Sequence, residues 1–156
     1  MNLIGKATIH PLFFYSGKIL GYVLWIIYLL SLFNIITNNP PFNFLKIIPY
    51  VLSIIGLALV LISMINLGRS TRLGLPDENT IFKSNGLYQL SRNPMYLGFN
   101  FFTISAIVFT WNFFIALSGI YSIIIYHFII IGEEKFLEQA FGSKYIEYKK
   151  RVRRYI

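Results

Sequence analysis

Long apolar stretches separated by short polar segments dominate this sequence. No charged side chain occurs in the 18 residues from Ile19 to Ile36 or in the 21 residues from Ile47 to Leu67. The 40 residues between Arg92 and Glu133 also carry no formal charge. A helix rises about 1.5 Å per residue and the hydrocarbon core of a bilayer is about 30 Å thick, so the last stretch is long enough to cross twice. The pattern predicts four membrane crossings.

The polar segment Thr110-Trp111-Asn112 interrupts the longest apolar stretch and predicts a hairpin there. Beyond the crossings, apolar residues recur at helical spacing from Phe136 to Tyr155, and Gly142-Ser143 divides them. We therefore predict an all-α polytopic membrane bundle with a C-terminal cytoplasmic amphipathic helical segment. It forms a single domain over residues 1–156, with transmembrane helices at about 19–36, 47–67, 95–110 and 112–131.

Composition and charge support a membrane protein. Charged residues make up 13% of the chain and the mean hydropathy is +0.62, whereas soluble domains carry about 25% charged residues. The 14 lysines and arginines give a net charge of +8, but the long uncharged stretches argue against a nucleic-acid partner. Only Lys46 lies in a predicted outer loop. The positive-inside rule then predicts that both termini lie in the cytoplasm. If the chain is bacterial, the predicted membrane is the inner membrane.

Several kinds of site are excluded by the residues the sequence lacks. There is no cysteine and there are two distant histidines, so disulfides, thiolate nucleophiles and metal sites of the usual composition are excluded. No glycine-rich phosphate-binding motif occurs either. We expect no metal.

The acidic pair Glu133-Glu134 follows the last predicted crossing. Two carboxylates at a helix C-terminus oppose the helix dipole and repel each other. One interpretation is that they open a separate tail helix, where acidic residues are favourable. The other is that they bind a cation.

A second cluster precedes the third crossing, in the segment Gly86–Gly98. Pro94 suits the first turn of a helix, while Arg92, Tyr88 and Tyr96 are either interfacial anchors or ligand contacts. An Arg and two aromatics at a helix N-terminus suit a ligand with a carboxylate and a flat ring. Together with Glu133-Glu134 they indicate a small zwitterion carrying a ring. His127 lies inside the last predicted crossing, where a structural role is slightly favoured over contact with a substrate.

Two motif blocks carry a family resemblance. They are Gly86-x-Tyr88-x-x-Ser91-Arg92-Asn93-Pro94-Met95-Tyr96-x-Gly98 and Glu133-Glu134-x-x-Leu137-x-x-x-Phe141-Gly142-x-x-Tyr145-x-x-Tyr148-x-x-x-Val152. In order and spacing these blocks resemble the isoprenylcysteine carboxyl methyltransferase family, which is related to the phospholipid N-methyltransferases. The N-terminal half is similar only as hydrophobic helices.

The resemblance implies an integral-membrane methyltransferase that uses S-adenosyl-L-methionine and acts on a lipid or lipid-like acceptor. It implies a cofactor-binding region at residues 72–98 and 127–152. Glu133 and Arg92 are the predicted catalytic residues, and His127 is a predicted substrate contact. The predicted cofactor-binding residues are Thr80, Ile81, Phe82, Lys83, Tyr88, Asn93, Pro94, Met95, Tyr96, Glu133 and Glu134.

The methyl acceptor stays open at this point. Where the prenylcysteine enzymes carry an Arg on the substrate side, four residues before the first Glu, this chain has Ile129. The acceptor is therefore an isoprenylcysteine-like carboxylate, another lipid carboxylate or an amine. Two alternatives to a methyltransferase are a nicotinamide-dependent membrane reductase of related fold and a non-enzymatic membrane module that retains the fold.

Overall fold

The computed structural model describes residues 7–35, 47–68 and 82–156. Within these ranges the chain is helical and contains no strand, as predicted. It has one short 3₁₀ turn at Gly86–Gln89. The five α-helices are α1 (Pro11–Leu32), α2 (Ile48–Leu67), α3 (Pro94–Thr110), α4 (Phe113–Phe141) and α5 (Ser143–Arg151).

Three of these helices are long and apolar enough to cross a membrane. They are α1 with 22 residues, α2 with 20 and α4 with 29, whereas α3 is apolar but has 17 residues. Helix α1 starts earlier than the predicted crossing at residue 19, because Pro11 occupies its first turn and the His10 side chain accepts a hydrogen bond from the Leu12 amide (3.3 Å). The charge of Lys18 does not end the apolar helix, since the side chain is buried with its ammonium 4.1 Å from the centre of the Phe14 ring.

The predicted hairpin at Thr110-Trp111-Asn112 is confirmed. Trp111 has a left-handed backbone (φ 47°) and ends α3. Asn112 then caps α4, because its side-chain oxygen accepts hydrogen bonds from the amides of Phe114 (2.9 Å) and Ile115 (3.2 Å). These two residues reverse the chain, so α3 and α4 run side by side in opposite directions.

Helix α4 is longer than the sequence pattern predicts. It passes through Glu133 and Glu134 without a break and ends at Gly142, which has a φ of +53°. The two carboxylates therefore lie at neither the end of a helix nor the start of a new one. Their partners come from other elements of the fold, described below, and these partners make an acidic pair tolerable inside a helix.

The helices pack around a core near the acidic pair. Helix α1 packs on α4 and α3, and α2 packs on α3. The core joins Phe14 of α1, Tyr96 of α3 and a row on α4, which comprises Ile125, Tyr126, Ile129 and Ile130. Hydrogen bonds from Trp25 Nε1 to Thr103 Oγ1 (3.0 Å) and from Ser122 Oγ to the Gly17 carbonyl (2.9 Å) fix the neighbouring helices.

Helices α2 and α3 approach each other backbone to backbone at a pair of glycines. A Cβ at Gly98 would lie 2.7 Å from the Gly56 carbonyl oxygen, and a Cβ at Gly56 would lie 2.9 Å from the Gly98 carbonyl oxygen. Replacing Gly98 with alanine is therefore expected to destabilise the protein by about 1–3 kcal/mol, the usual cost of overpacking. Thermal unfolding in detergent measures this effect, with Ala58→Val on the exposed face of α2 as the control. Equal stability of the two variants would contradict the close contact.

Candidate functional site

The segment before α3 directs polar side chains toward α4. Asn93 occupies the N-cap position of α3, yet its side chain does not cap the helix. Instead Asn93 Nδ2 donates to Glu134 Oε1 (3.2 Å), while its backbone amide donates to Ser91 Oγ (3.1 Å). The predicted start of α3 at Pro94 is confirmed. Because the Asn93 side chain does not cap the helix, it can contact α4.

Glu134 is the centre of a buried charge cluster. Its side chain is 5% exposed and binds two guanidinium groups. Arg92 Nε and Nη2 each lie 3.0 Å from Glu134 Oε1, and Arg154 Nη2 and Nε donate to Oε2 at 2.9 and 3.2 Å. The hydrogen bond with Glu134 also raises the pKa of Arg154. Two cations and an amide thus compensate this buried carboxylate.

The same cluster fastens residues 149–154 to the start of α3. Arg92 Nη1 donates to the carbonyl oxygens of Val152 (2.8 Å) and Lys149 (3.2 Å), and its backbone amide donates to the Arg153 carbonyl (3.0 Å). Asn93 Nδ2 also reaches the Arg154 carbonyl (3.3 Å). Arg92, 9% exposed in its side chain, therefore holds three parts of the fold together.

Glu133 has different surroundings from its neighbour. The Tyr96 hydroxyl donates to Glu133 Oε1 at 2.6 Å. Lys18 of α1 supplies an opposite charge that interacts with this carboxylate. Neither Arg92 nor Arg154 pairs with it, since both bind Glu134. The acidic pair is thus divided, with one carboxylate fixed between two arginines and the other facing a tyrosine and a lysine.

Tyr88 is buried on the turn that precedes α3. Burial raises the pKa of Tyr88 above its usual range, and the charges of Tyr148 and Glu133 raise it further. Its backbone carbonyl accepts a hydrogen bond from the Tyr148 hydroxyl (2.5 Å), and burial raises the pKa of Tyr148 to about 12. Both phenols are neutral at physiological pH, and the Tyr88 hydroxyl interacts with the side chain of Ser63 on α2.

The other predicted cofactor-binding residues are distributed around this centre. Phe82 packs against Phe141, Tyr145 and Tyr148 with ring centres 5.3, 5.8 and 5.4 Å apart. Pro94 and Met95 are buried at the start of α3, and Lys83 is half-buried. Thr80 and Ile81 lie outside the described residues. The structure thus places Tyr96 next to Glu133 and Phe82 against α5.

His127 lies apart from the acidic pair. Its Nδ1 atom is 2.7 Å from the Tyr155 hydroxyl, and the two rings stack with centres 6.0 Å apart. Six residues separate His127 from Glu133, which corresponds to about 9 Å along the helix. It lines a groove between α3 and α4.

Sequence reasoning missed Lys18 and Arg154 as parts of the site. Lys18 directly precedes the crossing predicted at 19–36, so the sequence pattern gives it no role in the site, whereas in the structure it is buried within α1. Arg154 belongs to a basic run, and no feature of the local sequence distinguishes it from the neighbouring basic residues. It reaches Glu134 only because the chain folds back onto the start of α3.

Comparison with known proteins identifies the family of this chain. The family model described as phospholipid methyltransferase matches residues 44–144. The chain belongs to the phospholipid methyltransferase family. The match covers α2, α3, α4 and both motif blocks up to Lys144, so the resemblance found in the sequence is confirmed. With its apolar helices, this member of the phospholipid methyltransferase family is an integral membrane protein.

An individual protein that the chain resembles is Protein-S-isoprenylcysteine O-methyltransferase B of Arabidopsis thaliana. It is 32% identical over 79 residues, which make up 49% of this chain and 39% of that protein. The chain thus matches less than half the length of this relative. No solved structure matches.

The arrangement can hold a zwitterionic ligand beside a fixed scaffold. A carboxylate that faces a tyrosine and a lysine suits an ammonium group, because charge-assisted hydrogen bonds are roughly twice as strong as neutral ones. The faces of Tyr88 and Tyr96 suit a cation or a flat ring. The Arg92–Glu134–Arg154 cluster holds these groups in place without using the carboxylate of Glu133.

Proposed function

We propose that this protein is an S-adenosyl-L-methionine-dependent methyltransferase that methylates a lipid or lipid-like acceptor at the membrane. The observation that carries the proposal is the division of the acidic pair. Two arginines and Asn93 occupy Glu134, whereas Glu133 accepts from Tyr96 and is the carboxylate left for a ligand. Membership of the phospholipid methyltransferase family supports the reaction class.

The residues around Glu133 fit this methyl donor. It carries an ammonium for the carboxylate of Glu133, a flat adenine, and a sulfonium that aromatic faces such as those of Tyr88 and Tyr96 attract. Lys18 supplies a positive charge that interacts with Glu133. When bound, the donor supplies an activated methyl group that an acceptor lone pair takes while the carbon–sulfur bonding pair returns to sulfur.

The chain's own part in this reaction is alignment and exclusion of water. Glu133 and Tyr96 fix the donor end of the site. We assign Arg92 a positioning role, although sequence resemblance predicts it as catalytic, because its donors reach Glu134 and the carbonyls of Lys149 and Val152. These contacts keep the start of α3 against α4.

We further propose that α3 crosses the membrane together with α1, α2 and α4, so that residues 1–156 form one four-pass domain. A 17-residue helix is about 25 Å long, which lies at the lower limit for a crossing. The hairpin at Trp111-Asn112 returns the chain to the side from which α3 started. Four crossings place the chain before α1 and after α4 on one side, and the basic residues place that side in the cytoplasm.

We infer that Ile129 does not hold a prenylcysteine carboxylate in the way that the resemblance implies for the arginine at this position. Ile129, which replaces the arginine used for that purpose, is fully buried in the core beside Phe14 and Tyr126. The isoleucine side chain has no charge and no hydrogen-bond donor, so it cannot pair with a carboxylate. Recognition of the acceptor therefore depends on other side chains around α3 and α4.

Transfer of a labelled methyl group to a total lipid extract tests the proposed function. The purified protein is incubated in lipid nanodiscs with methyl-labelled S-adenosyl-L-methionine, and the labelled species is identified by mass spectrometry. We expect a labelled lipid with wild-type protein and with the control Glu138→Gln, which changes a carboxylate paired with Lys149 outside the site. A protein that binds a nicotinamide cofactor and transfers no label would overturn the proposal.

A further inference from the structure

Helix α1 brings a lysine into the polar region around Glu133. Lys18 is 8% exposed, and its ammonium lies 4.1 Å from the centre of the Phe14 ring, one turn earlier on the same helix. Its positive charge interacts with the carboxylate of Glu133. The family model matches residues 44–144, so α1 lies outside the matched part of the chain. The family match therefore assigns Lys18 no role.

The side of α1 that carries Lys18 borders the place where Tyr96 and Glu133 meet. Tyr22 follows Lys18 by four residues, so the two side chains lie one turn apart on the same face of α1. Tyr22 interacts with Tyr96 of α3, and the Tyr96 hydroxyl donates to Glu133 Oε1 at 2.6 Å. Side chains from α1, α3 and α4 therefore converge on one polar region.

The Lys18 ammonium has no fixed polar partner among the residues that the structure describes. No salt bridge or side-chain hydrogen bond there includes it. The polar side-chain atoms in those ranges that are both buried and unpaired are Asn66 Nδ2, Asn100 Oδ1 and the Tyr126 hydroxyl oxygen. The Lys18 ammonium is not one of them, so it keeps contact with the protein surface. Glu133 is also only partly buried, and a small ligand can reach both charges.

We propose that Lys18 binds the carboxylate of the methyl donor while Glu133 binds its ammonium, so that the two side chains together recognise the amino-acid end of the donor. This inference rests on the proposed function. The donor carries its ammonium and its carboxylate on one carbon atom, and each can form a charge-assisted hydrogen bond with the side chain of opposite charge. A ligand with an ammonium alone would place two cations beside the carboxylate of Glu133, and these cations repel each other. The pair therefore selects a zwitterion over a plain amine.

Two ligands that differ only in the carboxylate test this role of Lys18 without requiring methyl transfer. S-adenosyl-L-homocysteine and its decarboxylated analogue, in which hydrogen replaces the carboxylate, are titrated into the full chain in nanodiscs by calorimetry. We expect the analogue to bind about ten- to a hundredfold more weakly, which corresponds to the loss of one hydrogen bond between charged groups. Equal affinities of the wild-type protein for the two ligands would overturn the inference. Binding of neither ligand would overturn the proposed function, and the inference with it.

Variants of Lys18 separate ligand binding from a structural role. Lys18→Met removes the charge and keeps an unbranched side chain. We expect it to weaken binding of S-adenosyl-L-homocysteine about tenfold or more and to leave binding of the decarboxylated analogue unchanged, so that the preference between them disappears. Lys18→Arg is expected to retain the preference, because a guanidinium also pairs with a carboxylate.

The control for loss of a positive charge is Arg153→Met, since Arg153 is exposed. We expect this variant to bind both ligands as the wild-type protein does. Equal weakening of both ligands by Lys18→Met would show that Lys18 only compensates the charge of Glu133, and would overturn the inference. If Lys18→Met fails to fold, the wild-type comparison of the two ligands together with Lys18→Arg still decides between these outcomes.

Discussion

Replacing Glu133 with glutamine is expected to weaken binding of S-adenosyl-L-methionine by about ten- to a hundredfold. The amide keeps the size of the side chain and can still accept from the Tyr96 hydroxyl, but it removes the charge that an ammonium requires. A hydrogen bond to a charged group contributes about 1.5–3 kcal/mol, and each 1.4 kcal/mol corresponds to about a factor of ten in affinity. Isothermal titration calorimetry of the purified protein measures the change.

The matched control for this variant is Glu138→Gln, five residues further along α4. Glu138 pairs with Lys149, and both side chains are about one-third exposed, so the substitution removes a carboxylate of the same helix outside the site. We expect wild-type affinity for the control. Similar affinity losses in both variants would point to a general effect of charge and would remove Glu133 from the site.

Replacing Glu134 with leucine is expected to destabilise the protein by about 3–5 kcal/mol, because it leaves a buried guanidinium without its carboxylate. Arg92 is the affected partner, since its side chain is 9% exposed, whereas the Arg154 side chain is 33% exposed and can reach water. The loss also releases residues 149–154 from the start of α3. Thermal and denaturant unfolding in detergent measure the effect.

The exposed ion pair of Glu138 and Lys149 provides the comparison for this second effect. Surface pairs contribute about 0–1 kcal/mol, so Glu138→Leu is expected to leave stability nearly unchanged. A Glu134→Leu variant that is as stable as wild type but has lost methyl-donor binding would contradict the structural role, and would show that Glu134 binds the donor itself.

Local signals predicted most of the helical architecture. The uncharged stretches predict the long apolar helices. Pro94 and Asn112 indicate where α3 and α4 begin, and the structure confirms both starts. These features depend on residues adjacent in sequence: an amide that caps the next turn, or a proline that suits the first one. The start of α1 and the end of α4 differ because charged residues within them find partners elsewhere in the fold.

The different roles of Glu133 and Glu134 could not be predicted from the sequence. Adjacent positions on a helix point about 100° apart, so the two side chains meet different neighbours. Arg92 is separated from Glu134 by 42 positions and Arg154 by 20, and only the packing of α3 and the return of the chain after α5 bring them together. The motif blocks indicate the proposed site, while the fold determines which of the two carboxylates pairs with the arginines.

A structure of the protein bound to S-adenosyl-L-homocysteine is the most direct test of which carboxylate serves the ligand. We expect the amino group of the ligand at Glu133, beside Tyr96 and Tyr88, with Arg92 and Arg154 still bound to Glu134. A ligand whose amino group displaces the arginines from Glu134, or one bound away from the start of α3, would contradict the proposed site.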